Sequence, residues 1–158
     1  MGKKVSAREF NPAIGMVFQN QDDQLFSPSM FENIAFGPIN MGIEKSEIEN
    51  RVDKVMDQLK ISHLKNKQPH PLFGGEKRLV AIAGVLVMDP QFIIWDEPTS
   101  NLDMRYRRRL IGIIEDSSQD AMMIASHDLE FILKVCNRVV LLDEGRIILE
   151  LFMKNKAM

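Results

Sequence analysis

The chain has 158 residues, 45% hydrophobic and 27% charged, which is one domain by length with enough apolar material for a sizeable core. Twenty basic residues against 22 acidic ones leave a formal charge of -2, so no electrostatic footprint for nucleic acid exists. The single cysteine, Cys136, excludes an internal disulfide and suits a reducing cytoplasm, and the longest apolar run, Leu79 to Met88, is too short to span a bilayer.

Residues 1 to 13 show no periodicity and no charged-then-apolar signal pattern; Met1, Gly2 and Ser6 formally fit a myristoylation pattern too short and permissive to use. Any membrane contact is therefore expected to come through a partner. Ile14 to Phe18 (IGMVF) reads as a short strand running into a polar loop at Gln19-Asn20. Ser29 and Glu32 make a capping box for a short helix ahead of Gly37-Pro38. Ser46 and Glu49 make a second box, and Ile48, Val52, Val55, Met56 and Leu59 recur at helical spacing, predicting an amphipathic helix to about Lys60 whose stripe is core. Ser62 to His70 is a polar loop, and His63 and His70 are read as solvated, with no Cys or carboxylate cluster near enough in sequence for a metal site.

Leu72 to Arg78 (LFGGEKR) leads into the apolar helix LVAIAGVLVM. Two glycines at a helix start let backbone N–H groups approach a phosphate, where the helix dipole also favours an anion. Phe92 to Asp103 (FIIWDEPTSNLD) is the most informative stretch: four bulky apolar residues end abruptly in Asp96 and Glu97, and Pro98 stops the run. This describes a buried strand whose C-terminal end presents two carboxylates to a ligand crevice. A magnesium nucleotide suits such a pair, because one carboxylate can hold the hydrated metal while its neighbour orients or deprotonates a water. The basic run Arg105 to Arg109 leads into Leu110, Ile111, Ile113 and Ile114 as a helix with one charged face. Ala121 to Ala125 is another short strand, delivering Ser126-His127-Asp128, and Asn137 to Leu142, the turn Asp143 to Arg146 and Ile147 to Phe152 read as a closing hairpin.

These strings resemble, in order, the motifs of ABC-type ATPases. Gly15 to Phe26 (GMVFQNQDDQLF) is similar to the Q-loop, LFGGEKR to the signature motif, FIIWDEPTSNLD to the Walker B segment and D-loop, and ASHDLE to the switch-histidine loop. Ser27 to Gly42 (SPSMFENIAFGPINMG) resembles the ATP-binding subunits of energy-coupling-factor and cobalt-type importers more closely than ABC proteins in general. The resemblance runs from about Ile14 to the end. It implies an α/β fold, the RecA-like P-loop NTPase core with a helical subdomain at about 30–90, and ATP and Mg2+ as cofactors. It further implies that Asp96 holds the metal through water, Glu97 is the general base, and His127 contacts the γ-phosphate. Gln19 would contact the magnesium and sense an integral membrane transporter subunit. Asp103 would couple two sites across a head-to-tail dimer with a second ATPase subunit, and Gly74-Gly75 would cover the nucleotide bound by that subunit. The expected location is cytoplasmic, peripheral on the inner face of the cell membrane.

The departures are informative. No G-x-x-x-x-G-K-[ST] occurs, and the only Gly-Lys, Gly2-Lys3, has no upstream glycine, so the chain reads as an N-terminally truncated form without the family's phosphate-binding loop. Phe73 stands where the signature has serine, and Leu79 where relatives usually carry arginine; Glu76 for glutamine is common in this branch. The expectation is an ATP-binding subunit unable to hydrolyse ATP alone. The alternatives are a non-catalytic module that pairs with a complete ATPase subunit, or the remnant of an interrupted gene.

Overall fold

The computed structural model describes residues 13–20, 24–68 and 74–153. Phe73, His70 and the Met1-Gly2 opening lie outside the described residues. Three strands, β1 (Ile14–Val17), β2 (Phe92–Asp96) and β3 (Ala121–Ala125), form one parallel sheet in the order β1-β2-β3. The register aligns Val17 with Trp95 and Trp95 with Ile124. Side chains alternate across a sheet, so Gly15, Ile93 and Met122 share one face with Val17, Trp95 and Ile124. That face is the inner one: Val17, Ile93 and Trp95 are fully buried, in one core with residues from the helices.

Helices α1 (Met30–Asn40), α2 (Lys45–Gln58) and α3 (Gly74–Leu86) pack on one another, and α3 also lies against β1. The Ser29–Glu32 box forms as expected, with the hydroxyl accepting from Glu32 N and the carboxylate from Ser29 N. Helix α1 does not stop at Gly37-Pro38, however; it continues to Asn40. A Cβ at Gly37 would strike Met88, and Pro38 is buried, so the two apparent breakers serve close packing there. The second expected box is absent. Helix α2 begins at Lys45 behind Glu44, with no side-chain cap, which puts Ser46 inside the first turn. Its stripe of Ile48, Val52, Val55, Met56 and Leu59 is core, and the chain leaves the helix through Lys60 at φ 53°.

Helix α4 (Met104–Glu115) packs on α5 (Leu129–Val135), a short helix that the sequence reading leaves unassigned. Strands β4 (Arg138–Asp143) and β5 (Arg146–Phe152) form a separate antiparallel hairpin, closed by Glu144 and Gly145 at φ 44° and 74°. Two successive positive φ values match the twist of a tight hairpin, which is why glycine is useful there.

The outer face of the parallel sheet is open. Ile14, Met16 and Met123 are exposed on it, whereas a parallel sheet is normally covered on both faces, and most apolar residues of the separate hairpin are exposed too. Phe92 to Trp95 is accordingly buried on one side and only half-buried on the other, not wholly buried as its unbroken apolar run suggests.

Candidate functional site

All three parallel strands point their C-terminal ends the same way, so the segments that follow them converge on one edge. Gln19 lies two residues beyond β1, Asp96 ends β2 with Glu97 next, and Ser126 and His127 follow β3. Glu97 N donates to Ala125 O at 2.9 Å, tying the two loops together, and Glu97 itself sits at φ 43°, a strained backbone for a residue with a long side chain. Its carboxylate lies on the neighbouring loop. Glu97 Oε1 meets His127 Nδ1 at 2.9 Å, and Ser126 Oγ donates to Glu97 Oε2 at 3.3 Å.

The His127 side chain is 84% exposed against 21% for Glu97, so the imidazole reaches from solvent onto a sheltered carboxylate. The hydrogen bond and charge of Glu97 raise the imidazole's pKa above its ordinary value. The ion pair is thus fully present below the ordinary imidazole value and is lost as pH rises through the raised one. Substituting Glu97→Gln is expected to return the His127 midpoint toward the ordinary range, read by histidine C2-hydrogen exchange and mass spectrometry; a midpoint that does not move would mean the pair does not form.

Behind this edge lies a residue that the sequence reading passes over. Arg78, on α3, is 1% exposed; its Nη1 donates to Phe18 O at 2.5 Å and its Nη2 to Gln19 O at 2.7 Å. Burial pulls its pKa down and the Asp96 carboxylate pulls it back up, so the guanidinium stands near the metal-type carboxylate while it fastens the backbone of Gln19. Among the described residues its Nε has no hydrogen-bond partner. The signal was in the sequence: Arg78 falls four residues before Ile82 and seven before Val85, on the buried stripe of its helix. The far end of the same loop is pinned by Asn33. Its Oδ1 accepts from Phe26 N and Ser27 N, both at 2.9 Å, and its Nδ2 donates to Ser27 O and Ser29 O at 3.0 and 2.7 Å.

Gly74, Gly75 and Asp103 stand at the starts of two helices, α3 and α4. Gly74 opens α3 and is exposed, but Gly75 is buried, and a Cβ there would fall inside the ring of Tyr106. The pair therefore divides: Gly74 is open to a ligand and Gly75 is needed for helix packing. Asp103 caps α4, accepting from Arg105 N at 2.9 Å and Tyr106 N at 3.0 Å. The basic run is not a uniformly solvated face. Arg107 pairs with Asp128, and Arg109 donates to Leu59 O. His63 is exposed but lies 3.7 Å from Glu76, closer to a carboxylate than its sequence surroundings imply.

A sequence profile of the ABC transporter family matches residues 2–100. The chain belongs to that family. The energy-coupling factor transporter ATP-binding protein EcfA of Methanothermobacter thermautotrophicus is 45% identical over 139 residues, covering 87% of this chain and 45% of that protein. The solved structure of cbiO1 from Clostridium perfringens, part of the ABC transporter complex cbiONQ, is 40% identical with a TM-score of 0.78, covering 88% of this chain and 57% of that one. The ATP-binding cassette MJ0796, solved as a dimer bound to ADP and Pi, is 22% identical with a TM-score of 0.76 over 90% of this chain and 64% of that one, a likeness of fold. The α/β architecture is thus the RecA-like core of ABC ATPases. The chain spans about half the length of the curated relatives it matches. No helix among the described residues is long and apolar enough to cross a membrane.

Proposed function

We propose that this chain serves as an ATP-binding subunit of an ABC importer of the energy-coupling-factor or cobalt type, contributing the metal and general-base side of the site. The observation that carries the reading is the convergence of Gln19, Asp96, Glu97 and His127 on one edge of the parallel sheet. The donor chemistry fits magnesium: the Asp96 carboxylate and the Gln19 carboxamide are oxygen ligands, and a magnesium ion held with phosphates keeps several waters. The residues present do not fit the β- and γ-phosphates equally well, since the 158 residues include no Walker A sequence.

Bound magnesium–ATP would supply the phosphoryl group and neutralise its developing charge. The chain's own residues have separate tasks. Glu97 accepts a proton from the attacking water, its carboxylate aimed by Ser126 and His127. His127, with Nδ1 resting on Glu97, turns its other ring nitrogen to phosphate oxygen. Arg78 fixes the Gln19 backbone so that the carboxamide can reach the metal. Gly74 presents the start of α3 to a nucleotide held by a second ATPase subunit, head to tail. The exposed pair Phe26 and Phe36, edge to face at 4.7 Å, with exposed Ile39 one turn on, suits docking by an integral membrane transporter subunit, which would place the chain at the inner face of the membrane.

The exposure of Gly74 at the start of α3 supports a second reading as well, a module that lends its signature end to a complete ATPase. Mixing the chain with a complete energy-coupling-factor ATP-binding protein tests both. Nucleotide-dependent association by light scattering is expected, abolished by Gly74→Asp, and Phe73→Ser is expected to raise the partner's ATPase rate by restoring a hydroxyl near phosphate. Association indifferent to nucleotide and to both substitutions would overturn the shared site.

A further inference from the structure

His127 is held on Glu97 although most of its side chain lies in solvent, and its neighbours explain how. Asp128 receives a two-pronged guanidinium: Arg107 Nε donates to Oδ2 and Nη2 to Oδ1, each at 3.0 Å. Such a fork fixes orientation as well as distance. The two side chains are only 15% and 23% exposed, which separates them from ordinary screened surface pairs. Arg107 Nη2 also reaches Glu130 Oε2 at 3.3 Å. Asp128 does more than accept the fork. Its Oδ1 accepts from Phe131 N at 3.0 Å, capping α5, and its N–H donates to Ser126 Oγ at 3.2 Å. Thr99 adds a side-chain hydrogen bond, and these contacts, led by Arg107, hold the Asp128 carboxyl below its ordinary range. Three residues before Arg107, α4 begins at Met104 behind its cap, Asp103. One connected path thus runs from the start of α4 through Arg107 and Asp128 to the loop that carries His127.

We propose that Arg107 and Asp128 are positioning residues, whose bidentate pair fixes the Ser126–Asp128 loop so that the His127 imidazole rests on Glu97. The inference deepens the functional reading above and rests on it for the importance of the Glu97–His127 contact. Its test needs no ATP turnover, so the two can fail separately.

The charged groups facing His127 are Glu97 from the end of β2, Asp128 on its own loop, and, behind Asp128, Arg107 from α4 and Glu130 from α5. The two explanations of Arg107 then differ in sign. If Arg107 only neutralises Asp128, Arg107→Met leaves a bare carboxylate beside an unmoved imidazole, and the His127 midpoint rises. If Arg107 positions the loop, the imidazole leaves Glu97 and the midpoint falls toward the ordinary range. Histidine C2-hydrogen exchange of the dilute 158-residue chain, resolved by peptide mass spectrometry, reads His127 apart from His63 and His70. The expected result is a fall in Arg107→Met and also in Arg107→Lys, which keeps the charge but loses the fork, with His63 unchanged as the fold control. A rise in Arg107→Met, or an unchanged midpoint in Arg107→Lys, overturns the proposal. Should Arg107→Met disturb His63 as well, Arg107→Lys decides alone.

Discussion

A purified preparation of these 158 residues with magnesium and ATP is expected to release phosphate at no more than background rate. Phosphoryl transfer asks little covalent chemistry of a protein; it is catalysed by positioning and by charge stabilisation. Glu97, held by Ser126 and His127 behind the end of β2, can supply the base, and Asp96 a metal ligand. Neither grips the phosphates. The sequence holds no run of backbone N–H groups closed by Gly-Lys-Ser or Gly-Lys-Thr, and the removal of even one donor of the oxyanion-hole kind costs about 10²–10³ in rate. Loss of a whole cradle and its lysine multiplies such factors. The measurement is phosphate release by the chain and by Glu97→Gln. Turnover well above background that disappears in the variant would show that the phosphates are held by groups other than a Walker A loop.

What the sequence reveals depends on the range of the interaction. The strands at Ile14, Phe92 and Ala121 and the Ser29–Glu32 box are legible because each is decided within a few residues. Features decided by contacts across the fold are not. Gly37-Pro38 looks like a helix stop until Met88 is seen against it. Gly74-Gly75 looks like one phosphate-binding unit until the Tyr106 ring, 31 residues beyond Gly75, is found over the second glycine. Helix α5 shows no stripe because only Phe131 among its seven residues is buried. Asp96 and Glu97 stand out as two carboxylates at the abrupt end of an apolar strand, whereas Gln19 and His127 could be singled out only through resemblance to family strings, since a lone histidine or glutamine after a strand says little. Arg78 and Asp128 lie inside such strings, LFGGEKR and ASHDLE, but the resemblance gives neither them nor Arg107 a task, because their roles rest on partners 60 and 21 residues away.

The open face of the sheet leads to the second large effect, self-association. The family resemblance implies that, without the strand feeding the phosphate-binding loop, the Ile14, Phe92 and Ala121 strands would lack a neighbour between some of them, and the structure corrects this: β1, β2 and β3 are contiguous, because each finds its parallel partner in register. What is uncovered is the outer face, with Ile14, Met16 and Met123, and the hairpin, where Leu142, Ile147 and Phe152 are 65%, 65% and 73% exposed. Each large apolar side chain left in water forfeits roughly 1.5–3 kcal/mol, while the net stability of a whole domain is about 5–15 kcal/mol. Among the described residues β1 and β3 form the two edges of the sheet, and apolar edges recruit other chains. The core around Trp95 and the three packed helices does not depend on that face, so the expected species is a folded chain that associates through β3, α5 and the hairpin. Size-exclusion chromatography with light scattering should show mass rising steeply with concentration. Co-expression with the N-terminal portion of an energy-coupling-factor relative should give a compact one-to-one species by covering the same face. A monodisperse monomer with a sharp cooperative melt at high concentration would show that the face closes without a partner.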